Sequence, residues 1–147
     1  MIVCDANLLL YAYDPGSSHH AAARKWVEQA FSGSEIVGIP WQTAGAFLRI
    51  ITNSKLPGQR VTLDRAVEVV DLWMEQPNVR MLTPGESHWP ILRQMMTEGQ
   101  ARGPLLTDAQ LAALTIEHGG VLHTTDRDFA RFPGLRWTNP LAGSGSV

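Results

Sequence analysis

Met1-Ile2-Val3-Cys4-Asp5-Ala6-Asn7 opens the chain. Ile2–Cys4 is short, apolar and rich in β-branched residues, and it gives way at once to polar Asp5, so it predicts a buried strand ending at an acid. The same strand-then-acid order recurs at Val121–Thr125, followed by Asp126. Ile36–Ile39 and Val79–Leu82 read as further short strands, and Arg136–Thr138 is a candidate fifth. Between them lie helical patterns. His19–Phe31 carries Ala23, Val27, Ala30 and Phe31 at helical spacing, with Ser17 and Ser18 where an N-cap belongs. Trp41–Ile51 reads as a helix following Pro40. Thr62 caps another, whose face holds Ala66, Val69, Val70 and Trp73 and which Pro77 closes. Ser87 starts a helix running to about Glu98, with Pro90 in its first turn. Thr107-Asp108-Ala109-Gln110 has capping-box spacing, and the helix after it stops at Gly119-Gly120.

Strands alternating with helices predict βαβ units, hence an α/β fold. The expected architecture has three layers: a mainly parallel central sheet of about four to five strands, with helices on both faces. The chain of 147 residues suffices for one domain, placed at residues 1–141, and residues 142–147 read as a flexible Gly/Ser tail. A hydrophobic share of 44% argues against disorder. Net charge of −2 excludes general electrostatic adhesion to nucleic acid, so any such binding needs a local basic patch or metal ions. The single Cys4 forbids an internal disulfide and suits a reducing, cytoplasmic setting. Neither a signal peptide nor a membrane span is expected.

In open parallel sheets, ligands sit beyond the carboxyl ends of the strands. Asp5 and Asp126 directly follow strands, and Asp108 stands in the first turn of a helix at the same edge. Three acids distant in sequence therefore converge on one crevice, and Asp128 extends the same rim. Clustered carboxylates oppose one another's ionisation, a penalty that a hard divalent cation removes. Mg²⁺ suits such a site because it takes a few carboxylates and keeps waters that phosphate oxygens can replace. Asn7, Thr107 and Thr125 stand beside the three acids and are expected to orient them. The plain alternative is that each Asp alone is a turn or helix-start residue; the joint placement favours the site.

Asp5-Ala6-Asn7-Leu8-Leu9-Leu10-Tyr11-Ala12 resembles the opening motif of PIN-domain ribonucleases. Thr107-Asp108-Ala109-Gln110-Leu111-Ala112-Ala113-Leu114 resembles their third acidic motif, and Thr124-Thr125-Asp126-Arg127-Asp128-Phe129 the fourth. Order, spacing and length are similar to those of VapC-type toxins of type II toxin–antitoxin pairs. The resemblance implies a PIN-like fold, Mg²⁺ with Mn²⁺ as a substitute, endonucleolytic RNA cleavage through Asp5, Asp108 and Asp126, a homodimer, and inhibition by a VapB-like antitoxin bearing a DNA-binding domain. The antitoxin's C-terminal segment is expected in a groove between the Trp41–Ile51 helix and the Thr62–Gln76 region, with an Arg or Lys aimed at the acids.

One departure stands out. Many PIN nucleases carry a Glu just before the apolar residue of an E-F-L-R-like stretch. Here the stretch is Ala46-Phe47-Leu48-Arg49. The missing ligand points to one ion rather than two. It also keeps open a second class of function: a catalytically weak PIN-like module that binds an antitoxin but cleaves RNA poorly. Glu117 is no substitute, since nine residues after Asp108 is about 180° round a helix. A phosphotransfer fold with Asp5 as nucleophile ranks last, because Asn7 stands where a second acid belongs. Arg127 and Arg49 are read as RNA contacts, with solvated surface charge as the alternative.

Overall fold

A computed structural model describes residues 1–53 and 61–143. The expected tail thus falls mostly outside the described residues, which include only Ala142 and Gly143 of it. Five parallel strands form one sheet: β1 (Ile2–Cys4), β2 (Val37–Pro40), β3 (Val79–Leu82), β4 (Val121–His123) and β5 (Trp137–Thr138), in the order β3-β2-β1-β4-β5. The chain winds outward from β1 through β2 to β3, then returns to the other side of β1. The switch lies between β1 and β4, where Ile2, Val3 and Cys4 pair with Val121, Leu122 and His123. Such a reversal splays the connections apart and opens a crevice beyond the strand ends.

The period-two alternation of a strand divides the core into two. Ile2, Cys4, Val37 and Ile39 pack with α1 (Ala6–Ala12), α2 (His20–Phe31), α3 (Trp41–Ile51) and α4 (Leu63–Glu75). Val3 and Leu122 pack with α5 (His88–Glu98), α6 (Leu105–Glu117) and Phe129 of a 3₁₀ turn at Arg127–Arg131. The strands predicted at Ile2–Cys4 and Val79–Leu82 and the helix at Trp41–Ile51 stand as expected. At Gly38 the Leu82 side chain packs over the backbone of β2, so that a Cβ there would lie 2.6 Å from Leu82 Cδ1 and push that side chain aside.

Several local expectations are corrected. The short helix α1 was not anticipated; Asp5 caps it, accepting from Ala6 N at 2.7 Å. Ser17 and Ser18 do not cap α2. The N-cap is His19, without a side-chain bond, because the Ser17 hydroxyl instead accepts from His19 N two residues on. Thr107 opens no capping box. Pro104, with φ −59°, is the N-cap of α6, three residues before the expected cap, which leaves Thr107 inside the helix. Thr62 does cap α4, accepting from Arg65 N at 3.2 Å.

Candidate active site

Asp5 leaves β1 with both carboxylate oxygens committed. Oδ1 accepts from Ala6 N, and Oδ2 accepts from the Thr124 hydroxyl at 2.6 Å. Thr124 is fully buried, and its oxygen also accepts from Asp126 N at 3.0 Å. One hydroxyl thus ties the end of β1 to the turn after β4, across the topological switch. Asp126 caps the 3₁₀ turn, its Oδ1 accepting from Asp128 N at 2.9 Å. Asp108 projects from the first turn of α6. Gln42 at the start of α3 donates to the Thr107 carbonyl at 3.3 Å, and Thr43 donates to the Cys4 carbonyl at 2.8 Å. These two bonds fasten α3 to the strand end and to the Asp108 helix.

The electrostatics of the edge follow from this crowding. Burial pushes the Asp5 carboxyl above the ordinary range, against hydrogen bonds from Thr124 and Ala6 that pull it down, with Asp126 adding to the rise. Asp108 is pushed up to about 6, first by desolvation and then by the charges of Asp126, Asp5 and Asp128, with Arg131 opposing. The three acids singled out in the sequence, and Asp128 with them, therefore act on one another as one group of charges. Among the described residues, no three His, Cys, Asp or Glu side chains are gathered closely enough to form a preformed metal cage.

The oriented neighbours differ from expectation. Thr125 does not support Asp126; its hydroxyl accepts from Asn7 Nδ2 at 2.9 Å. The supporting hydroxyl is that of Thr124, which the sequence reading passed over. Its only signal was a polar residue at the buried end of an apolar strand. Thr107 is exposed and contributes its carbonyl rather than its hydroxyl. Asn7 holds Thr125 and, at 3.4 Å, Thr124 rather than Asp5, while its Oδ1 is buried without a partner. Arg49 is exposed in the last turn of α3, seven residues or about 10 Å along the axis from Gln42. Ala46 is half-buried, one turn after Gln42. Glu117 points elsewhere: its Oε1 accepts from Gly85 N at 3.0 Å.

The donors at this edge are hard oxygens: carboxylates of Asp5, Asp108 and Asp126, and the orphaned amide oxygen of Asn7. That set fits a hard divalent cation rather than a soft one.

Comparison with known proteins agrees with the architecture. The PIN domain family matches residues 2–135. The chain is 38% identical over 141 residues to the ribonuclease VapC33 of Mycobacterium tuberculosis, covering 96% of this chain and 99% of that one. It is 37% identical over 142 residues to ribonuclease VapC37 of the same organism, covering 97% and 99%. Among solved structures, VapBC2 from Rickettsia felis, bound to a DNA fragment from its promoter, superposes with a TM-score of 0.71 at 17% identity, over 95% of this chain and 98% of that one. VapC20 of M. tuberculosis, a toxin that cleaves the sarcin-ricin loop, superposes at 0.66 with 16% identity, over 92% and 99%. The two structures speak for the fold; the end-to-end sequence matches go further and show that this chain belongs to the PIN-domain family, in the group of the VapC ribonucleases.

Proposed function

We propose that the chain is an endoribonuclease toxin that hydrolyses RNA phosphodiester bonds with a divalent cation, Mg²⁺ or Mn²⁺, held by Asp5, Asp108 and Asp126. The observation that carries this reading is the mutual repulsion of those carboxylates at the β1–β4 switch, which leaves the metal-free site charged against itself. The relatives' name, ribonuclease, supports the reaction. When bound, the cation supplies an activated water and neutralises charge growing on the phosphate. The protein's part is orientation. Thr124 fixes Asp5 and the Asp126 turn in one frame, Asn7 braces that turn through Thr125, and Asp128 adds negative charge at the rim.

The expected partner is a VapB-like antitoxin with a DNA-binding domain, supported by neighbours that are VapBC assemblies, one of them on promoter DNA. Leu63, Val67 and Met74 are exposed along one side of α4 and offer its C-terminal segment an apolar seat. A homodimer and a cytoplasmic location belong to the same reading. No helix among the described residues is long and apolar enough to cross a membrane.

The test is cleavage of labelled RNA with Mg²⁺, with EDTA, and with Mg²⁺ restored. Cleavage should vanish with the chelator and return with the metal. Cleavage indifferent to EDTA refutes the metal reading. Mg²⁺ binding without cleavage under any divalent metal favours the weak antitoxin-binding module, for which the apolar Ala46 on α3 is the structural argument.

Ala46 yields its own prediction. Ala46→Glu should raise Mg²⁺ affinity roughly tenfold by adding a negative oxygen ligand. Calorimetry on the folded variant decides, and unchanged or weaker binding means that Ala46 does not stand at an emptied ligand position.

A further inference from the structure

A recess adjoins the Thr125–Arg127 turn that carries Asp126. It is an open depression of about 680 Å³ lined by Tyr11, His19, Thr125, Arg127, Asn139 and Leu141. That volume lies within the range of small-ligand sites. Two of its lining residues, Thr125 and Arg127, are the immediate chain neighbours of Asp126. Tyr11 stands in the helix that Asp5 caps. The recess is therefore built from the same two segments that carry the candidate catalytic acids.

Its chemistry is distinctive for so acidic an edge. The Tyr11 and His19 rings lie 4.8 Å apart at 38°. The His20 ring nitrogen, 3.0 Å from the Tyr11 carbonyl, pins the loop that brings them together. Arg127 is exposed and makes no hydrogen bond or ion pair with any described residue. Its neighbours Arg131 and Arg136 are spent on the Gly99 and Gly119 carbonyls. Paired aromatic rings beside a free guanidinium are what proteins offer to unpaired nucleotides: the rings stack on a base, and the cation meets a phosphate.

We infer that this recess is the subsite for an unpaired nucleotide next to the phosphate that is cut, with Tyr11 and His19 stacking on its base and Arg127 holding its backbone. The inference rests on the ribonuclease reading above and adds to it the place where a base and its phosphate are held. A base-paired nucleotide cannot offer a free face to the two rings. An antitoxin peptide is the competing occupant.

The experiment uses the full chain and an end-labelled RNA hairpin with an unpaired loop, on which the parent protein first maps the cut. RNA affinity is then measured by fluorescence anisotropy in an Asp108→Asn background. Tyr11→Leu and His19→Ala should each weaken binding about tenfold. Arg127→Ala should weaken it comparably and lower the salt slope by about 0.7. An abasic nucleotide beside the cut should erase the effects of Tyr11→Leu and His19→Ala while leaving that of Arg127→Ala. His19 is exposed and makes no side-chain cap bond, so His19→Ala keeps the fold and the test stays decisive even if Tyr11→Leu does not. The subsite is overturned if the parent cuts RNA while His19→Ala and Arg127→Ala bind and cut as it does, or if fully paired RNA is cut as fast. It is equally overturned if the variants lose antitoxin binding and keep RNA binding, which assigns the recess to a peptide. A parent that cuts no RNA under any divalent metal sinks the ribonuclease reading itself.

Discussion

Asp108→Asn should give a protein that melts at a higher temperature than the parent in metal-free buffer at pH 7, yet cuts RNA about 100-fold more slowly or worse. The two effects share one origin. In the folded chain the Asp108 carboxyl is raised to about 6 by burial and by Asp126, Asp5 and Asp128. An acid whose pKa is higher folded than unfolded binds more protons in the native state through that window. Stability therefore falls as pH rises from the ordinary carboxylate range to about 6, and the loss is complete at pH 7. Asp5, raised in the same direction, adds to it. Asparagine keeps the shape and removes the charge, so the metal-free fold gains what the carboxylate cost. Mg²⁺ should raise the melting temperature of the parent by binding the native state and should do much less for the variant. Thermal melts with and without Mg²⁺, at pH 5 and pH 7, beside single-turnover cleavage, check all of this. A variant that melts lower than the parent at pH 7 without metal, or still cuts well, removes Asp108 from the site.

The sequence placed the acids at the ends of their elements better than it placed the residues that brace them, for physical reasons. Strand ends are marked by an abrupt change from apolar to acidic, so Asp5 and Asp126 could be placed beyond β1 and β4 without knowing which strands are neighbours. Strand order depends on pairing between distant segments, and nothing local in Val121–His123 says that it lies beside Ile2–Cys4. Helix α1 escaped because Leu8-Leu9-Leu10 is an unbroken apolar run with no helical gap, although Asp5 before it is a good N-cap residue. At α6 two start signals competed. The Thr107–Gln110 box matched a familiar pattern, but Pro104 had its φ already set for a helix and began it earlier. Thr124 and Thr125 could not be told apart by type. Which one faces Asp5 depends on the phase of the strand, and only the β1–β4 register fixes it.

Phe47→Ala should cost about 3–5 kcal/mol, a large part of the 5–15 kcal/mol that holds an ordinary domain together. Phe47 is fully buried in the core between the sheet and helices α1 to α4. Its ring meets Trp73 of α4 at 4.7 Å and 62°, and Tyr13 at the end of α1 at 5.7 Å and 74°. Trp73 in turn donates from Nε1 to the Tyr13 hydroxyl at 3.2 Å. Removing the ring opens a cavity against two aromatics that are themselves bonded together and cannot both move in to fill it. The melting temperature should fall by roughly 10 °C, given a few degrees per kcal/mol for a domain of this size. Trp89→Ala is the control: a larger aromatic, but 61% exposed on α5, whose loss should stay within about 0.5 kcal/mol. The carboxylates hang from β1, β4 and α6 rather than from α3, so cleavage per folded molecule at low temperature should fall far less in Phe47→Ala than in Asp108→Asn. Urea melts of the two aromatic variants, paired with cleavage rates corrected for the folded fraction, separate the contributions. Equal stabilities for Phe47→Ala and Trp89→Ala would mean that the ring does not join α1, α3 and α4. A Phe47→Ala chain that is folded but inactive would mean that α3 positions the acids more directly than the Gln42 and Thr43 bonds imply.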